Sequence, residues 1–237
     1  MLFLQQYSEL QEFMVILKFN KNKMERVLVV GATGSTGKRV IEILNNSSTF
    51  EPYAMIRKED QRQMFEDMDV ETVMGDLEKD VTETVQGMDK VIFAAGSGGK
   101  TGEEKTIAVD QEGAIKIVEA AKKAKVKKFI MLSSMGADNP SSNKDLKVYL
   151  EAKHKADEHL KNSGLSYTIV RPGALTDDLG LAKVQLAEKL GESGEISRDD
   201  VAFLLVMSLA DPLVKNKTFE ALEGKESIKN AIIDLSR

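Results

Sequence analysis

Tyr149 and Lys153 stand four residues apart, a spacing that puts two side chains on one face of a helix. A phenol can give a proton to a carbonyl oxygen or take one back, and an ammonium beside it favours the phenolate. Ser133 and Ser134 end an apolar run upstream, where a hydroxyl would converge with the phenol and the ammonium on one cleft. If it stood alone, the Tyr-Lys spacing would by default be read as a solvated helix face. It does not stand alone, because glycines at 31, 34 and 37 follow directly on the apolar run 27–30. Gly31 can take backbone angles closed to other residues, Gly34 lets the main chain approach a pyrophosphate, and Gly37 lets the next helix pack closely on the strand. Thr33, Ser35 and Thr36 complete the turn, and a helix beginning near Ser35 would aim free N–H groups and its positive end at an anion.

The second strand should decide which dinucleotide is held. NAD sites place an acid about 20 residues beyond the glycine turn, whereas NADP sites supply a cation. Here Arg57 occupies that place with Lys58 beside it, and a planar guanidinium suits a 2′-phosphate. NADP is the expected cofactor, with NAD as the other option and surface charge as the other reading of Arg57. Asp76 and Leu77 follow the third strand, where a carboxylate can accept from an adenine amino group; an ordinary turn aspartate reads nearly as well.

The elements that must position these groups are legible as alternating patterns. Apolar, β-rich runs recur at 27–30, 53–56, 70–74, 91–95, 129–132 and 167–170, with helical patterns at 38–44, 103–123 and 145–162. This alternation predicts an α/β fold: a single Rossmann-type, doubly wound parallel sheet with ligands beyond the strands' C-terminal ends. Past Pro172 the pattern loosens into a predicted helix at 181–190, another at 198–210 and a short strand at 218–222. Residues 173–237 are expected to form a small substrate-side extension of one domain spanning 24–237. The segment 1–23 reads as a leader of no assigned function, with apolar runs too short to span a membrane.

Composition excludes several classes. At 237 residues and 42% apolar content the chain can bury one sizeable core, and a net charge of −5 argues against a nucleic-acid binder. The dense lysines of 122–128 read as a solvated helix end. With no cysteine and two histidines, neither a disulfide nor a cysteine- or histidine-built metal site is expected. A reducing cytoplasm is compatible with this, and no membrane partner is expected.

The chain resembles the atypical short-chain dehydrogenase/reductases, NAD(P)-binding and akin to NAD-dependent epimerase/dehydratases. The resemblance rests on the glycine turn, on residues 129–134, on Tyr149 to Lys153 and on Arg171-Pro172-Gly173. It implies that Tyr149 exchanges the substrate proton, that Lys153 bonds the nicotinamide ribose, and that Ser134, better offset than Ser133, orients the carbonyl oxygen. It further implies that Ala94, Ala95 and Gly96 run along the cofactor, and that Pro172 and Gly173 face the nicotinamide amide. Asp110 stands where many relatives carry an asparagine that supports a proton-relay water, and a carboxylate cannot donate as an amide does. The implied activity is NADP(H)-dependent interconversion of a small carbonyl and alcohol; the alternative is a regulator that senses NADP(H) without turnover. A homodimer is expected by analogy alone, and the chain is short for the substrate domain of sugar-nucleotide epimerases.

Overall fold

A computed structural model describes residues 24–98 and 101–237; the leader segment 1–23 lies outside the described residues. Each central strand follows the sequence pattern: β1 (Glu25–Val30), β2 (Phe50–Ile56), β3 (Glu71–Met74), β4 (Lys90–Phe93), β5 (Lys128–Leu132) and β6 (Tyr167–Pro172). All pair in parallel, and β4 joins the other side of β1 from β2, so the strand order reverses at that point. The reversal opens a crevice above the C-terminal ends of β1 and β4, where ligands of such sheets bind. This is a Rossmann-like α/β fold.

Alternate residues of each strand serve opposite faces. Val27, Val29, Ile92, Ile130, Leu132 and Val170 pack with α1 (Ser35–Asn45) and a later helix, Arg198–Ala210, on one side. Leu28, Val30, Val91, Phe93, Phe129, Met131 and Ile169 face the opposite side. Between β2 and β3 run a 3-10 turn, Glu59–Gln61, and a short helix, α2 (Gln63–Glu66), whose Phe65 is fully buried. Burying a side chain of that size contributes about 1.5–3 kcal/mol, enough to secure a four-residue helix that could not stand alone.

The predicted helix at 103–123 is interrupted. It runs as α3 (Glu103–Thr106), then a π-helical stretch, Ile107–Gly113, then α4 (Ala114–Lys123). Gly113 is needed at the junction because a Cβ there would sit 2.8 Å from the Leu77 Cβ. The helix α5 (Lys147–Asn162) follows β5 and carries both Tyr149 and Lys153.

Beyond Pro172 one expectation is corrected. Residues 181–190 form no helix; Lys183–Ala187 is a strand, β8, antiparallel to β10 (Lys217–Glu223). Val184 and Leu186 alternate inward against that neighbour, so sheet pairing overrides the helical propensity of the lysine, alanine and leucine residues around them. The short strands β7 (Ala174–Thr176) and β9 (Glu195–Ser197) pair with each other beside the main sheet. Arg198–Ala210, now α6, starts at Ser197, whose side chain accepts the Asp200 N–H at 3.0 Å. Asp200 in turn accepts from the Leu181 and Ala182 N–H groups at 3.1 and 2.8 Å, tying the loop before β8 to the helix start. The short β11 (Glu226–Ser227) and α7 (Ile228–Leu235), a helix that the sequence pattern did not single out, complete the described chain. No helix among the described residues is long and apolar enough to cross a membrane.

Candidate active site

The glycine turn is built as its spacing requires. Gly31 has φ +87°, and a Cβ on it would lie 2.6 Å from the Ala95 backbone. A Cβ on Gly37 would reach 2.1 Å from the Gly31 carbonyl oxygen, so only glycine lets α1 rest on the turn. Gly34 caps α1 with extended angles and no side-chain cap, leaving the first-turn N–H groups for a ligand. A cleft of about 690 Å³ opens over this turn, lined by Gly31, Thr33, Gly34, Ser35 and Thr36 on one wall. Ala94, Ala95, Gly96, Asp110, Tyr149 and Lys153 line the same cleft.

Lys153 is buried and fully engaged. Its ammonium pairs with the Asp110 carboxylate at 3.0 Å, donates to the Leu132 carbonyl at 3.3 Å, and stands 5.7 Å from the Tyr149 ring centre. Burial pulls its pKa down, but Tyr149, Asp110 and Asp157 offset that and hold it above the ordinary lysine value. Asp110 lies within the π-helical stretch, and its other oxygen accepts the Ser97 N–H at 2.8 Å. The wider π turn thus aims a buried carboxylate at the lysine, a placement typical of functional sites.

Behind this pair sits a second buried group. One Asp157 oxygen accepts from Ser133 Oγ at 2.9 Å and from Arg171 Nε and Nη2 at 3.0 and 2.8 Å. Burial raises the Asp157 pKa, with the Arg171 guanidinium opposing it. Asp157 is one helical turn beyond Lys153 on α5, so the network braces the face of that helix that carries Tyr149 and Lys153. Arg171 belongs to the Arg-Pro-Gly motif read from the sequence, but Asp157 carried no motif signal; only its i, i+4 relation to Lys153 could have suggested it.

Not every expected residue meets the cleft. Ser133 lines it, whereas the Ser134 hydroxyl donates to the Met135 carbonyl at 3.2 Å. Both serines lie just past β5: Ser133 is drawn to Asp157 on α5, and Ser134 is held by the local bond to Met135. Arg57 is exposed just past β2, with no side-chain partner among the described residues. Asp76 follows β3 but accepts the Glu78 N–H and pairs with Lys79 at 3.6 Å. Leu77 is buried against the Gly113 junction. Pro172 ends β6, and Gly173 crosses so near Gly194 that a Cβ would stand 2.3 Å from its carbonyl oxygen. Arg198, which sequence reasoning missed, lines the cleft from the first turn of α6.

The NAD(P)H-binding family model matches residues 31–212, which span both the glycine turn and the Tyr-Lys helix. The chain belongs to the NAD(P)H-binding family. Within it, the chain is 41% identical over 211 residues to the Bacillus subtilis protein called uncharacterized sugar epimerase YhfK, covering 87% of this chain and 98% of that one. A solved Bacillus halodurans structure, described with the NAD-dependent epimerase/dehydratases, is 39% identical with a TM-score of 0.85, covering 89% of this chain and all of that one. The sanguinarine reductase of Eschscholzia californica is 27% identical, covering 91% of this chain and 95% of its own. The NAD(P)H-binding family to which the chain belongs therefore includes reductases, and the cleft residues fit a dinucleotide: a glycine cradle that any side chain would fill, facing uncapped helix N–H groups.

Proposed function

We propose that this protein is an NADP(H)-dependent oxidoreductase acting on a small carbonyl or alcohol, with Tyr149 as the proton-exchanging group. The observation that carries the reading is the Tyr149-Lys153 pair lining the same cleft as the glycine turn. The turn and Ala94 to Gly96 would hold the dinucleotide, and Arg57 and Lys58 its 2′-phosphate. When bound, the nicotinamide supplies or accepts hydride at the substrate carbon. Tyr149 breaks its O–H bond and gives the proton to the substrate oxygen, or receives it in the reverse direction. The buried, charged Lys153 stabilises the phenolate left behind.

Of the serine pair, Ser133 has its proton committed to Asp157, while Ser134 is held only by a local 3.2 Å bond to Met135. Ser134, which the cleft lining does not include, would have to leave its Met135 bond and turn in to orient a substrate oxygen, whereas Ser133 already lines the cleft. Leu146, Val148 and Leu175 line the same cleft and suit a substrate with an apolar body. Asp110 neutralises much of the Lys153 charge, which suits a modest proton shuttle better than a water relay through an asparagine amide.

The test is oxidation of NADPH by purified protein against a panel of aldehydes, ketones, quinones and flavins. Turnover that Tyr149→Phe abolishes supports the assignment, and turnover that survives it unchanged removes the phenol from the mechanism. Tight NADPH binding with no turnover on any acceptor would instead support a cofactor-sensing role.

A further inference from the structure

Arg198 lines the cleft from the start of α6, and no part of the proton-exchange chemistry uses it. Its Nη1 pairs with Asp177 at 3.0 Å, and the same carboxylate lies 3.5 Å from Arg39 Nη2. Arg39 is anchored in α1: it donates to the Ser35 carbonyl at 2.8 Å and to Asp199 at 2.6 Å. Asp177 thus bridges Arg39, which holds the Ser35 carbonyl of α1, to Arg198, which shares the cleft lining with Ser35 and Thr36. The bridge is lopsided. The Arg198 side chain is 24% exposed and braced on α6, whereas Asp177 is 70% exposed, on the stretch between β7 and the loop that Asp199 and Asp200 pin at residues 180–182. An exposed pair of this kind contributes at most about 1 kcal/mol, less than a charged hydrogen bond to a phosphate, at roughly 1.5–3 kcal/mol.

The geometry points to Arg198 as a diphosphate-binding residue, kept in position by Asp177 until the dinucleotide arrives and takes the carboxylate's place. This rests on the dinucleotide reading above and adds to it an anion contact supplied by the C-terminal part of the chain. The cleft then closes on the diphosphate from two elements distant in sequence, α1 and α6. Asp177, released, no longer bridges Arg198 to Arg39, so binding loosens the stretch after β7 while ordering Arg198.

The experiment is calorimetric titration of the full chain and of Arg198→Ala, Arg198→Lys and Asp177→Asn with NADPH and, separately, with adenosine 2′-phosphate, which lacks the diphosphate. Arg198→Ala is expected to weaken NADPH binding about tenfold or more and to leave adenosine 2′-phosphate unchanged, with Arg198→Lys between. Asp177→Asn is expected to tighten NADPH binding about threefold by removing the competing carboxylate. Unchanged NADPH affinity in Arg198→Ala, or equal losses for both ligands, overturns the assignment. An Asp177→Asn variant that binds NADPH no more tightly overturns the exchange. If the unmodified chain binds no dinucleotide at all, the cofactor reading itself is what has failed.

Discussion

Lys153 and Asp110 form an ion pair 3.0 Å long with side chains only 4% and 0% exposed, and the same ammonium lies 5.7 Å from the Tyr149 ring. The lysine that should tune the phenol is therefore shared with a carboxylate from a different element. Burying both charges is affordable only because each has further partners: Leu132 for the lysine, the Ser97 N–H for the aspartate.

Removing one partner strands the other. Asp110→Ala should lower unfolding free energy by about 3–5 kcal/mol, measured by urea denaturation, because Lys153 is left charged and buried. Asp110→Asn, which keeps an acceptor for Ser97, should cost less. Equal stability of Asp110→Ala and the parent would show that the pair carries no weight.

Tyr149→Phe should leave NADPH binding unchanged and cut turnover by about 10²–10⁴, the usual worth of a positioned acid. Steady-state kinetics on whichever acceptor the panel identifies would check this. A matching loss from Ser133→Ala, without one from Ser134→Ala, would reverse the assignment of the orienting hydroxyl.

Cofactor choice should track Arg57. With Arg57→Ala, the NADPH dissociation constant should rise roughly tenfold while that for NADH stays within about twofold, since only the former carries a 2′-phosphate. Equal effects on both cofactors would return Arg57 to the solvated surface.

Gly37→Ala should disable the turn. Its Cβ would press to 2.1 Å on the Gly31 carbonyl, a backbone atom that cannot yield, whereas nothing lies within 4 Å of a Cβ on Gly102. Thermal melts should show Gly102→Ala, which changes only a helix N-cap, about 0.5–1 kcal/mol below the parent and Gly37→Ala several kcal/mol below it.

Lys128 gives the stability a pH signature remote from the cleft. It is buried on β5, donates to the Asp211 carbonyl at 2.8 Å, and burial, with Lys90 nearby, lowers its pKa from 10.5 to about 8. Between those values the unfolded chain holds the proton that the folded chain has released, so this group's contribution rises with pH across that window. At pH 7 both states carry the charge and the fold bears the desolvation. Lys128→Met should raise Tm at pH 7 by about 2–4 °C, with the gain shrinking towards pH 9.5 in calorimetric scans.

The parts of this molecule legible from sequence are those in which local chemistry and fold agree. The glycines at 31, 34 and 37 answer to constraints within a few residues, and the strands of the central sheet are apolar enough to be read singly. Helix α5 announces the Tyr-Lys pair by its spacing read together with the serine pair that ends the preceding strand. Where a residue's state depends on a distant neighbour, the pattern misleads or is silent. Residues 183–187 look helical and become a strand because β10 offers a partner.

The sequence by itself determined that a dinucleotide-type turn precedes a helix bearing a phenol and an ammonium, because both features are short-range. Only the tertiary structure decided that Asp110 reaches Lys153, that Ser133 rather than Ser134 is bound to Asp157, and that Arg198 enters the same cleft. Those contacts join residues 43, 24 and more than 150 positions apart. No periodicity encodes such distances, since they are set by how the sheet and its helices pack.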